Sequence, residues 1–216
     1  MVTTVIYDMD GTLVDSERLS LIAWKRSIEE FGSPFPTSVV ETFIGRNRAD
    51  ILAIVAEQTG SEELALKIYD RHIDFFVDLC ETDLELKPGA VESLNALREA
   101  GLRVGLATSA GRDRVGGRLG RFGLEDGFDA ITCGDEVSHS KPEPDIFLEA
   151  ARRLGAEPAA CVVVEDSFNG VRAGRAAGMH VFMVPDILQP TEEIAGLCDA
   201  VLPSLNELPA AVAAIR

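Results

Sequence analysis

Basic residues are scarce in this chain: 20 lysines and arginines stand against 36 aspartates and glutamates, for a formal net charge of −16. So anionic a surface does not hold nucleic acid or an anionic membrane through charge alone. It leaves room for an anionic substrate, because clustered cations or a metal ion override the global field locally. Cysteine is equally sparse. The four present, Cys80, Cys133, Cys161 and Cys198, are scattered with no CxxC pair, and read as reduced core or near-surface thiols of a cytoplasmic protein. No apolar run approaches the ~18 residues of a membrane helix. The first run is cut short by Asp8 and carries no basic leader, so no signal peptide is expected. Internal repeats and low-complexity tracts are absent as well.

What is present is an ordinary globular composition, 46% hydrophobic and 26% charged over 216 residues, enough for one domain or one domain with an insert. Short apolar runs at Val2–Tyr7, Leu102–Ala107, Ala130–Cys133, Cys161–Val164, His180–Val184 and, more weakly, Ala200–Leu202 alternate with helical patterns. These fall at Ala90–Ala100, Arg112–Phe122, Pro144–Leu154, Phe168–Ala177 and Leu205–Ile215. The alternation predicts a parallel sheet wrapped by helices. Several of the runs are apolar throughout, as strands covered on both faces should be. From about Ser16 to Leu84 the rhythm breaks into helical periodicity alone, in "ERLSLIAWKRSIEEFG", "NRADILAIVAEQTG" and "SEELALKIYDRHIDFFVDLCE". This segment is expected to be an all-helical insert placed after the first strand and lying over whatever site that strand builds.

That first strand runs into "YDMDGTLVDSE". Residues i and i+2 of a strand share a face, so Asp8 and Asp10 can converge on one small volume. In an open parallel sheet that volume lies at the carboxyl ends of the strands, where ligands bind. Two carboxylates held close repel each other and lose hydration unless a cation or a helix terminus offsets them. A solvated turn or a helix cap is the plainer reading of "DG". A calcium loop fails, because its spacing would need an acid at Thr12 and glycine at Leu13.

Three later strand ends alter the balance. "GLRVGLATSAGR" ends in Thr108 and Ser109, whose hydroxyls and neighbouring N–H groups suit phosphate oxygens, although a Ser/Thr cap before Arg112 is the simpler reading of that stretch alone. "SKPEPD" sets Lys141 in a turn fixed by two prolines, where it could equally be a surface lysine. "CVVVEDSFNG" ends a buried strand in Glu165 and Asp166, again with an N-cap alternative. Acid, hydroxyl, lysine and acid at successive strand ends form a pattern that the separate plain readings do not explain. The small residues of "NGVRAGRAAGM" lack dinucleotide-loop spacing, and are expected to let a helix pack close to the sheet.

The stretches "DMDGTLVDSE", "LATSA", "SKPEPDIFLEAA" and "VVVEDSFNGVRAGRAAGM", in this order, resemble the haloacid dehalogenase-like hydrolase superfamily, in its branch of β-phosphoglucomutases and small sugar phosphatases. The resemblance covers essentially the whole chain. It implies a Rossmann-like core of residues 1–15 and 85–216, with helices on both faces of the sheet, and a helical cap domain of residues 16–84 that opens and closes over the site. It also implies an aspartyl-phosphate mechanism in which Asp8 is the nucleophile and Asp10 the general acid and base. Lys141 and Thr108 would hold the phosphoryl oxygens, and Ser109 would complete the cradle. Mg²⁺ would be held by Asp8, the Asp10 backbone carbonyl and Asp166, with Glu165 direct or through water. Arg48, in "FIGRNRADIL", matches a substrate-contacting arginine of the mutases, with a solvent-facing helix-start arginine as the alternative.

The implied activity is a Mg²⁺-dependent phosphatase for a small phosphorylated metabolite, with a sugar phosphate expected. A β-phosphoglucomutase-type mutase is the alternative, weakened because Ser20 stands where the mutase carries a histidine. A catalytically silent phosphate-binding protein is a third. His72 could face the cleft, but a lone histidine on a helix reads first as a bystander, as do His139 and His180. Trp24, Phe75 and Phe76 read as core of the insert. A monomer is expected, with no nucleic-acid or membrane partner.

Overall fold

A computed structural model describes residues 1–33, 35–44, 46 and 48–215. The chain forms two compact units, Met1–Asp15 with Leu86–Arg216, and Ser16–Glu85.

The larger unit is built on six parallel strands: β1 (Thr4–Tyr7), β2 (Arg103–Thr108), β3 (Ala130–Cys133), β4 (Cys161–Glu165), β5 (His180–Met183) and β6 (Ala200–Val201). Their order in the sheet is β3-β2-β1-β4-β5-β6. The strand order therefore reverses beside β1, the place where open α/β sheets bind ligands. Tyr7 pairs in register with Leu106 of β2 and Val164 of β4, so the first residues beyond all three strands emerge side by side. Burial on both faces explains the apolar runs. Ile6, Val163 and Val181 pack with Phe147 and Val171 in one core cluster, and on β1 Tyr7 donates a hydrogen bond to Ser93 at 3.0 Å.

In the smaller unit, α1 (Ser16–Glu30), α2 (Thr37–Glu41), α3 (Arg48–Thr59) and α4 (Glu62–Asp83) surround Trp24, Ile28, Val40, Phe43, Val55 and Ile68. Trp24 is core, as expected. Phe75 is half-buried under the Arg71 guanidinium, 4.0 Å from its ring centroid. Gly45 and Asn47, on either side of Arg46 in the "FIGRNRADIL" stretch, lie outside the described residues.

The remaining helices of the larger unit are α5 (Ala90–Glu99), α6 (Arg112–Gly120), α7 (Asp145–Leu154), α8 (Phe168–Ala176), α9 (Glu192–Leu197) and α10 (Leu208–Ala214). Two short helices, α2 and α9, lie where no helix was expected, because five or six residues give no measurable period. The expected helix Leu205–Ile215 starts as a 3₁₀ turn, Leu205–Glu207, before α10 begins with Pro209 in its first turn, a place proline tolerates.

The small residues of α8 do bring it close to the sheet. A β-carbon on Gly174 would lie 2.9 Å from Val181 Cγ2 and 3.2 Å from Val163. Gly174→Leu is therefore expected to lower stability by about 1–3 kcal/mol through overpacking, read as a lower urea midpoint at unchanged m-value.

Candidate active site

Asp8 follows β1 immediately, and its backbone N–H donates to Val164 O of β4 at 2.9 Å. The side chain is buried. Its Oδ1 accepts from Lys141 Nζ at 2.5 Å, and the same ammonium donates to Glu165 Oε1 at 2.6 Å and to Ala107 O at 3.2 Å. Lys141 thus ties together the ends of β1, β2 and β4. It is no surface lysine: its side chain is 6% exposed, and Nζ sits 4.8 Å from the Phe147 ring centroid. The turn that carries it is closed by Glu143 N donating to Ser140 O at 3.0 Å.

The two ends of this bridge titrate unlike free side chains. Burial pushes the Asp8 carboxyl up to about 8; Lys141 pulls it down, but the neighbouring Glu165 charge adds to the rise. Burial works against the Lys141 charge too, yet Asp8 and Glu165 hold it protonated well above the ordinary lysine range.

Asp8, Glu165 and Asp166 each offer a carboxylate oxygen within 4.8 Å of the others. Three carboxylates around one ammonium leave an excess of two negative charges when all are ionised, and the donor set is all oxygen. That chemistry suits a hard divalent cation such as Mg²⁺. Asp166 is oriented by Thr12, whose hydroxyl donates to Oδ1 at 3.0 Å. Gly11, at φ +79°, brings the backbone so near Asp166 that a β-carbon would lie 2.3 Å from Oδ2. Glu165 is fully buried. Its second oxygen accepts from Ser167 N at 3.0 Å and Ser167 Oγ at 2.8 Å. Ser167 is the residue that caps α8, accepting from Gly170 N at 3.0 Å. Both Glu165 oxygens are thus already engaged by Lys141 and Ser167, while a β-carbon on Gly170 would overlap that carboxylate at 1.8 Å.

The Asp10 carboxylate lies outside the metal-like triad. It pairs with Arg118 of α6 through Nη1 to Oδ1. Position 118 carries no signal in the sequence, because an arginine in an arginine-rich helix looks like a solvated face; only the burial of Val115 and Leu119 beside it marks the inward stripe. Thr108, at the end of β2, is buried and accepts from Ala110 N at 3.1 Å, while Ser109 is exposed. Arg48, the first residue of α3, is exposed with its guanidinium over the Tyr69 ring, 5.2 Å from the centroid.

The smaller unit holds a cavity of about 150 Å³ lined by residues that include Ser20, Trp24, Arg46, Tyr69 and His72. His72 is buried, stacked on Trp24 at 4.0 Å between centroids, with Nε2 3.3 Å from Ser20 Oγ. It is part of the packed cluster, in keeping with its reading as a bystander to the chemistry.

The profile of haloacid dehalogenase-like hydrolases matches residues 5–184. The chain belongs to that family. Hexitol phosphatase B of Escherichia coli K12 is 32% identical over 216 residues, 97% of this chain and 95% of its own length. The phosphorylated carbohydrates phosphatase of Thermotoga maritima is 33% identical over 82% of each chain. Among solved structures, CbbY from Rhodobacter sphaeroides in complex with phosphate matches with a TM-score of 0.77 at 28% identity, covering 96% of each chain. The haloacid dehalogenase-like architecture expected from the sequence is the one found, and the protein is a phosphoric monoester hydrolase of that family. Among the described residues no helix is long and apolar enough to cross a membrane.

Burial drives the His72 pKa from 6.5 down to about 3. The unfolded chain therefore binds a proton below pH 6.5 that the folded chain refuses until near pH 3, and stability falls with pH across that window. His72→Phe is expected to reduce the acid-side loss by about 2 kcal/mol at pH 5, measured by urea unfolding of both proteins at pH 7 and pH 5.

Proposed function

We propose that the protein is a Mg²⁺-dependent phosphatase of a small phosphorylated metabolite, a sugar or sugar-alcohol phosphate, working through an aspartyl phosphate on Asp8. The observation that carries this reading is the Lys141 bridge between Asp8 and Glu165 inside the acidic triad. It holds the nucleophile's carboxylate beside a fixed cation at the end of β1. The two phosphatase relatives support the substrate class, one named for hexitol and the other for phosphorylated carbohydrates.

Asp8 attacks phosphorus in line as the bond to the leaving oxygen breaks, and Asp10 gives that oxygen a proton. Water then attacks the aspartyl phosphate, Asp10 takes its proton, and inorganic phosphate and free Asp8 result. Lys141 steadies the phosphoryl oxygens, with the Thr108 hydroxyl and the Ser109 backbone beside them. Asp8, Asp166 and the Asp10 backbone carbonyl would hold Mg²⁺, with Glu165 placed behind them to fix Lys141. Bound there, the ion would neutralise charge between nucleophile and phosphate and keep Asp8 ionised, against the burial that otherwise raises its pKa. Arg48 is assigned to substrate by family resemblance alone.

The mutase reading gains one observation, an imidazole at His72 beside Ser20. That ring is buried and held neutral, which suits packing better than a charged relay, so the phosphatase reading is preferred.

The test is phosphate release from a panel of hexose, hexitol and pentose phosphates with Mg²⁺. Release is expected from a few of them, lost on chelation and restored by Mg²⁺. Asp8→Asn is expected to reduce it by about a thousandfold or more. Interconversion of glucose 1- and 6-phosphates without net release would favour the mutase, and full activity in Asp8→Asn would remove the aspartyl-phosphate reading.

A further inference from the structure

We propose that Arg118 is a positioning residue for proton transfer, holding the Asp10 carboxylate in the attitude from which it serves the leaving oxygen and the incoming water. The inference rests on the role given to Asp10 above and goes beyond it to a residue that no motif marks.

The case begins with where α6 puts its charges. Val115, Arg118 and Leu119 form its buried stripe. An arginine is rarely buried unless a carboxylate meets it, because the desolvation it suffers is offset only by a well-formed ion pair. Arg118, 8% exposed, meets Asp10, a residue 108 positions away in the chain. The helix carrying it is anchored independently. Arg112 at its start donates to Ile131 O and Glu136 Oε1, both at 2.8 Å, and Arg112 N donates to Asp135 Oδ2 at 3.2 Å. Arg118 therefore reaches the end of β1 from a helix fixed at its other end to the segment around β3.

The consequence is a division of partners. The two acids of the "DMD" stretch stand on one strand end, yet each meets a different cation: Asp8 the ammonium of Lys141, Asp10 the guanidinium of Arg118. The ammonium is a point charge that also grips Glu165, whereas the planar guanidinium donates from Nη1 along a fixed N–H direction to Oδ1 of Asp10, and so holds that oxygen in place. A carboxylate that must deliver a proton at one atom and accept one at another gains most from fixed orientation. A misplacement of about 1 Å at such a group costs about a hundredfold.

The experiment separates orientation of Asp10 from integrity of the fold. With p-nitrophenyl phosphate the leaving anion departs without a proton, so forming the aspartyl phosphate does not need Asp10, but hydrolysing it does. Stopped-flow traces of Arg118→Met are expected to show a burst of p-nitrophenolate stoichiometric with enzyme. The burst rate should stay within about threefold of the wild-type first turnover, and the steady rate should fall about ten- to a hundredfold. Asp10→Asn should give the same pattern more strongly. Arg118→Lys should restore part of the steady rate, and it carries the comparison if the methionine variant melts early. Burst and steady phases falling together would assign Arg118 to the fold alone, and no change in either would leave it without a role; both overturn the inference while the phosphatase reading stands. A wild-type protein that releases nothing from p-nitrophenyl phosphate or from the sugar phosphate panel overturns that reading first, and this one with it.

Discussion

One buried ammonium organises the site. Lys141 lies between Asp8 and Glu165 with its side chain almost wholly removed from water, and each of these charges alone would cost several kcal/mol to bury. Together they are tolerable, because the lysine is placed by packing that does not depend on the acids. Its ammonium lies over the Phe147 ring, and Phe147 is fully buried in the core cluster beneath β1 and β4. The acids in turn are fixed by strand register, since Asp8 N is bonded to Val164 O and Glu165 closes β4. Neither side can relax away from the other without breaking the sheet or the core.

The same close quarters decide what small residues are for. Gly170 is needed for clearance, and Gly11 both for clearance and for its left-handed backbone at φ +79°: side chains there would run into the carboxylates of Glu165 and Asp166 respectively. Gly170 crowds an acid just before it in the chain, whereas Gly11, beyond β1, crowds Asp166 at the end of β4. The backbone is folded back onto the carboxylates, and this keeps a cluster with excess negative charge from spreading apart. An arrangement that holds repelling charges together by steric enclosure is stable only when a counter-charge is available, which is the physical reason for expecting a divalent cation there.

Much of this was legible in the sequence, and the failures have physical causes. β1, β3 and β4 could be read as apolar runs because both faces of a parallel sheet are covered, and their ends drifted by only a residue or two. The acids and Lys141 could be read because each ends a strand or sits in a proline-fixed turn. Arg118 could not: its partner is 108 residues away, and local composition around it, three glycines and four arginines between Arg112 and Arg121, resembles a solvated helix. The burial of His72 is hidden from the sequence for the same kind of reason. It depends on Trp24 stacked from α1 as well as on Phe76 one turn along its own helix, and no window on α4 contains Trp24. Helices α2 and α9 are invisible in the sequence because periodicity needs more residues than they have.

Two acids with one residue between them cannot take different chemical parts merely by being different positions in a chain, since on an isolated strand they would face the same volume. They are separated by what each meets. The strand order sets β2 on one side of β1 and β4 on the other. The β4 side supplies Glu165 and Asp166 to the volume Asp8 enters, while the β2 side supplies both cations, Lys141 from the chain after β3 to Asp8 and Arg118 from α6 to Asp10. Asymmetry between otherwise equal carboxylates is thus a product of topology. The reversal of strand order beside β1 makes the two sides of that strand end unlike, acids from β4 on one and cations from the β2 and β3 side on the other; the nucleophile of the proposed reaction meets both, and its proton carrier is paired with a cation from the second.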